Sequence, residues 1–238
     1  MNKRDFIKTS VAGIIGMLGT PVLANSTRNS KVSRSPSFRL PPLPYEYDAL
    51  EPFIDKDTLF LHHTHYHAQY TAGFNKAFAE AGIKRDYARR ILSNASSLDH
   101  ELVYNGGGFL NHKLFWKSLT PMGEGRPWGQ LARAIDQSFG SFDRFKESFE
   151  ITAGQIRDEG WVWLISQHDE LKVVSTPNHH NPFMDFLPEE KRGFPIICLD
   201  LGKDAYFPLT NEKRDAYITG YWDFVNWKWA SQRYAKFS

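Results

Sequence analysis

The stretch GWVWLISQHDELKVVSTP, residues 160–177, marks a change of pattern along the chain. Two runs rich in Val, Leu, Ile and Trp flank the pair His168–Asp169, as in paired strands joined by a tight turn. A third apolar run, FPIICLD at 194–200, reads as another strand and ends on Asp200. Upstream, helical patterns dominate. Asp55 can cap a helix that runs to about Ala81, with Gly82 as its stop. Within it, His62, Tyr66, Tyr70, Phe74 and Phe78 recur every four residues and share a slowly turning stripe. A second helix is expected from about Arg85 to Tyr104, ending at NGGG, and a third from near Phe109 to Pro121. PWGQLARAIDQSF reads as a fourth. Ser141 can cap a fifth, with Phe142, Phe145 and Phe149 on one face. A last helix is expected from near Asn211, carrying YWDFVNWKWASQRY. Helices, then three strands, then a helix describe an α-helical N-terminal half and an α+β C-terminal half. The two halves are expected to meet along an interface of the kind where sites form.

With 238 residues, 41% hydrophobic and 15% aromatic, the chain can bury a sizeable core. The net charge of +2 comes from Lys3, Arg4, Asp5 and Lys8, so the remainder is near neutral and no nucleic-acid partner is expected. The single cysteine, Cys198, excludes an internal disulfide and reads as a buried thiol. Residues 1–24 combine a basic start, the short apolar stretch SVAGIIGMLGTPVLA and a small residue before Asn25, as in an export signal peptide. The alternatives are a membrane anchor or a buried N-terminal helix. KRDFIK also resembles a twin-arginine signal with Lys3 in place of the first arginine. Export implies a periplasmic or extracellular protein with no stable membrane insertion after cleavage. Residues 25–37 read as a flexible, Ser-rich linker.

Three histidine groups stand out: HHTHYH at 62–67, His112 in LNHKLFW, and NHHN with His179 and His180. His112 lies among Leu110, Leu114, Phe115 and Trp116, and a buried imidazole needs a partner. Asp200, closing a buried strand, needs one too. Imidazole nitrogens and a carboxylate oxygen form a mixed donor set that suits Mn, Fe or Zn. H-E-x-x-H, the E-x-x-H pairs of di-iron bundles and the G-x-S-x-G elbow are all missing from the sequence.

From about Leu40 to Phe237 the chain resembles the iron/manganese superoxide dismutases. The motifs are LPPLPYEYDALEP, HHTHYHAQY, NGGGFLNHKLFW, SFGSFDRFK, GWVWL, VVST, GFPIICLD and WDFVNW, in that order. The resemblance implies an α+β fold. A helical hairpin domain, 38–124, precedes a domain with a three-stranded antiparallel sheet and helices, 125–238, and a metal site lies between them. It implies one Fe or Mn ion per subunit, superoxide as substrate, and a homodimer. By position, His62, His112 and Asp200 match metal ligands, and Tyr70 matches the tyrosine that gates the substrate channel. His179 matches the residue that bonds the metal's solvent ligand. Arg214 matches an arginine near the channel mouth, and Trp116 and Trp161 match the apolar wall. By the same resemblance, Gly108 and His179 lean toward a manganese-type or metal-flexible arrangement.

The departure follows Asp200. Where the family has D-x-W-E-H-A-Y-Y, this chain reads DLGKDAYF. Asp204 replaces the histidine ligand, Gly202 the tryptophan, and Lys203 the glutamate that bridges the dimer. Tyr66 and Phe207 alter two more interface positions. A carboxylate at 204 is a competent donor, and its charge favours the +3 ion and repels an anion. Three outcomes stay open. Asp204 ligates; or it swings away and His179 or water takes its place; or the site holds no metal. The last would leave a non-catalytic secreted metal-binding or interaction protein on this fold.

Overall fold

The computed structural model describes residues 38–83, 87–203, 205–206 and 211–237. The signal and linker expected over 1–37, the start of the second expected helix at Arg85, and Asp204 and Phe207 lie outside the described residues.

The first helix opens as its sequence dictates. Asp55 accepts the Thr58 backbone N–H at 2.9 Å and caps α1, Lys56–Leu61. A six-residue π-helical segment, His62–His67, follows and passes into α2, Ala68–Glu80. The stripe expected from spacing is realised: His62, Phe74 and Phe78 are buried, and Tyr66 and Tyr70 half-buried. Gly82 ends the run with φ +62°, a conformation that favours glycine.

The second and third expected helices are corrected. A short α3, Ala88–Leu92, and a 3₁₀ turn, Ala95–Ser97, lead to α4, His100–Ser118, capped by Asp99. This helix runs unbroken through Gly106, Gly107 and Gly108. Those glycines do not stop the helix; they admit close neighbours. A Cβ on Gly108 would lie 2.5 Å from the Tyr70 ring, and one on Gly106 would lie 2.8 Å from the Phe74 ring. One on Gly107 would strike the His179 carbonyl oxygen.

Helix α5, Gly129–Phe139, and α6, Phe142–Gln155, follow as expected, with Ser141 accepting the Arg144 N–H at 3.1 Å. The strands are β1 Gly160–Gln167, β2 Glu170–Pro177 and β3 Phe194–Asp200. They form one antiparallel sheet in the order β2-β1-β3. His168 and Asp169, with φ of 50° and 65°, make the two-residue hairpin turn. As the central strand, β1 is buried nearly throughout, which its continuous apolar sequence requires. The last expected helix is split: α7 Asn211–Gly220 and α8 Trp227–Phe237 are separated by a 3₁₀ turn and an extended Val225. The break lets Val225 bridge Leu119, and Asn226 N–H donates to Ser118 O at 2.7 Å. The chain is tied there to the end of α4. The architecture is the expected α+β fold, a helical hairpin of α1/α2 and α4 ahead of a three-stranded sheet with helices. Trp116, Trp161, Trp163 and Trp227 fill its core. Among the described residues, no helix is long and apolar enough to cross a membrane.

Candidate metal centre

Three elements deliver three donors to one point. His62 begins the π segment, His112 sits in α4, and Asp200 ends β3 opposite Trp161 of β1. All three are buried. His62 Nε2 and His112 Nε2 are 2.9 Å apart, and Asp200 Oδ2 lies 3.2 and 3.4 Å from them. Around an ion with bonds of about 2.1 Å, neighbouring donors fall about 3.0–3.6 Å apart. The three residues therefore fit a metal ion, and no other group of three among the described residues does.

The surroundings fix the donors. His112 Nδ1–H donates to Gly108 O at 2.7 Å, which turns Nε2 toward the site. Asp200 Oδ1 accepts the Gly202 N–H at 2.8 Å and Oδ2 faces the imidazoles. Burial raises the Asp200 carboxyl pKa. The hydrogen bonds and charge of His112 and His62 outweigh it and hold the group well below the usual carboxylate range.

The cavity beside the donors has a volume of about 20 Å³. That is room for about one water-sized molecule. Tyr66, Tyr70, Trp161, Asn178, His179 and Gly202 are among its walls, and Glu159 stands at it as well. Tyr70 stacks on His112 with centroids 5.3 Å apart, and Trp161 meets the same ring edge-on at 5.1 Å. His179 is buried, yet neither ring nitrogen has a hydrogen-bond partner among the described residues. Burial first, then the charge of His112, pushes its pKa down to about 3. The imidazole is neutral and its polar atoms are available to a small guest.

Arg214 stands elsewhere. Its guanidinium donates to Ala153 O at 2.9 Å and Ile156 O at 2.6 Å, holding the end of α6 and the loop toward Glu159. It is not among the residues around the donor cavity. Cys198 is buried as expected, and burial first, then Asp200, pushes its thiol well above the usual range.

Sequence reasoning gave no role to the groups that hold the His179 loop. Asn111 Nδ2 donates to His179 O at 3.2 Å, and its Oδ1 accepts from Asn181 Nδ2 at 2.7 Å. Both amides are fully buried. The signals were Asn111, next to His112 in LNHKLFW, and the asparagines that frame NHHN, of which Asn181 is the second. His63 and His67 are likewise structural. The Tyr47 hydroxyl meets His63 Nδ1 at 3.0 Å, and His63 Nε2 meets Pro41 O at 2.9 Å, which ties down the Pro-rich arm.

A helical hairpin and a small α+β domain that share a buried His–His–Asp centre define a class of metal-binding protein. Residues 37–120 match the iron/manganese superoxide dismutases' alpha-hairpin domain, and residues 127–233 match their C-terminal domain. A manganese superoxide dismutase of Leptolyngbya boryana is 35% identical over 237 residues, covering 93% of this chain and 94% of its own. One from Listeria ivanovii is 38% identical over 203 residues, covering 83% and 98%. The chain belongs to the iron/manganese superoxide dismutase family.

Proposed function

We propose that the chain is a superoxide dismutase using one manganese or iron ion per subunit, held by His62, His112 and Asp200, with Asp204 as the further donor. The buried His62–His112–Asp200 set, 2.9–3.4 Å across, carries this reading. The relatives' names favour manganese. When bound, the ion supplies one-electron chemistry, by which one superoxide becomes dioxygen and a second, with two protons, becomes hydrogen peroxide. The chain's own residues bind, orient and exclude. His112 and Asp200 are locked by Gly108 O and Gly202 N–H, so their donor atoms need little reorganisation. The cavity leaves room for only a small guest, and the rings of Tyr70 and Trp161 are among its walls. His179, neutral and unbonded, can offer its N–H to an anionic guest. Tyr70, at the cavity wall, gates the approach.

The chain is exported through residues 1–24 to the periplasm or medium, and it acts as a homodimer with an altered bridge at Lys203 and Tyr66. The test is metal analysis and superoxide assay of the purified chain, with N-terminal sequencing of the exported form and light scattering. Stoichiometric Mn or Fe with turnover above that of free ion is expected. Substoichiometric metal after supply, or no turnover, overturns the reading. Asp204→His is expected to raise activity several-fold; no gain moves the limiting defect to Gly202 or Lys203.

A further inference from the structure

Buried imidazoles are usually oriented by a hydrogen bond at one ring nitrogen. His112, His63 and His67 obey this rule through Gly108 O, Pro41 O and Phe109 O. His179 does not, because both of its nitrogens are buried without a hydrogen-bond partner among the described residues. Its backbone is well held by Asn111 and by contact with Gly107, but those interactions leave the ring free to turn about its side-chain bonds. Ring contacts must set its orientation.

Two tyrosines make the nearest ring contacts. Tyr70 lies 4.3 Å from the His179 ring at 65°, and Tyr104 lies 4.9 Å away at 61°. The tyrosines meet each other at 5.9 Å and 73°, so all three rings pack edge to face, the geometry aromatic rings prefer. Tyr70 also lines the cavity; Tyr104 does not. Tyr104 is half-buried on α4, two turns before His112, and its outer side stacks on the exposed His100 at 5.9 Å and 14°. No hydrogen bond of its hydroxyl to a described residue competes with this packing role.

We propose that Tyr104 is a positioning residue that holds the His179 imidazole against the donor cavity by ring packing alone. The inference rests on the dismutase reading for its catalytic consequence, though not for its geometry. The ring is what matters, so Tyr104→Phe is expected to stay within about twofold of the parent in kcat. Tyr104→Ala leaves His179 free to turn, and a misplacement of this kind can cost on the order of 10²-fold. Tyr104→Leu, which keeps bulk without an aromatic edge, serves if the alanine variant does not fold. Metal content should be equal in all variants, because no donor is touched.

A second readout does not need activity. In the metal-free protein, the His179 ring proton signals should be single and sharp in the parent and in Tyr104→Phe. They should be broadened or doubled in Tyr104→Ala or Tyr104→Leu. Unchanged signals and unchanged kcat in both of those variants overturn the proposal. Equal losses in Tyr104→Phe and Tyr104→Ala overturn it too, by assigning the role to the hydroxyl. A parent without turnover sinks the dismutase reading, while the ring signals still decide the role of Tyr104.

Discussion

His67 has two hydrogen bonds and no place for a second proton. Its Nε2–H donates to Phe109 O at 3.1 Å, and its Nδ1 accepts the Trp116 indole N–H at 3.0 Å. A proton on Nδ1 would set N–H against N–H in a closed core. Burial first and the charge of His112 next push its pKa down to about 2, against the opposing bond to Phe109. His179 is pushed down to about 3, again by burial first. In the unfolded chain both titrate near 6.5. Between the folded and unfolded values the unfolded chain alone carries the protons, so stability falls as pH drops below about 6.5. Above that value these two groups contribute no slope. Each adds about 1.4 kcal/mol per pH unit, or roughly 2.7 for the pair. Asp200, held low, acts in the same direction but only below about pH 4, where the unfolded carboxyl begins to take up its proton. Urea midpoints of the metal-free protein should therefore be flat from pH 8 to 7 and fall steeply from 6 to 5. His67→Gln should remove about half of that slope. A midpoint unchanged between pH 7 and 5 would show that the two imidazoles are not held neutral.

Helix α4 shows what a local reading of the chain can and cannot recover. Its donor, His112, was evident from the apolar residues around it, because a polar group in such a run needs a partner. Its continuity was not. Three consecutive glycines lower helix propensity by about 1 kcal/mol each, so by local rules they end a helix. Here they keep it, because Tyr70, Phe74 and the His179 carbonyl occupy the space a Cβ would take. That requirement comes from residues 32 to 72 positions away, and periodicity does not register it. The π-helical turn at His62–His67 was hidden for a related reason. It buries His62, His63 and His67 together, which regular helical spacing does not anticipate. Strands fared better: β1 and β3 are continuous apolar runs, and their sequence alone distinguishes them from the amphipathic helices. The glycine account makes a paired prediction. Gly107→Ala gains helix propensity but strikes a backbone oxygen that cannot rotate away, so it should lose about 1–3 kcal/mol overall. Gly154→Ala, in α6 with nothing within 4 Å of the new Cβ, should gain up to about 1 kcal/mol. Urea denaturation of the two variants checks the signs. A stabilising Gly107→Ala would mean that the His179 loop yields easily, and the close contact would then have no role in holding that stretch of backbone.

Across the molecule, the donor set joins parts that are distant in sequence. His62 and His112 belong to the helical hairpin, and Asp200 ends a strand of the sheet. Unfolding scatters the three, so an ion that they hold binds the folded state and raises its stability by RT ln(1 + [L]/Kd). At free metal of 100 times Kd that is about 2.7 kcal/mol. For a domain of this size it corresponds to roughly 5–10 °C in Tm. The metal-free protein should still fold, since the four-tryptophan core and the sheet do not depend on the donors. Manganese or iron should then raise Tm by that amount, and magnesium, which prefers oxygen donors, should not. Asp200→Ala should abolish the rise, because it removes the donor that couples sheet to hairpin. His67→Gln should retain it, because His67 bonds Phe109 and Trp116 rather than the ion. Scanning calorimetry with and without each metal separates these outcomes. A rise that survives Asp200→Ala would place the ion somewhere other than between His62 and His112, and the link between the two halves of the fold would need another cause.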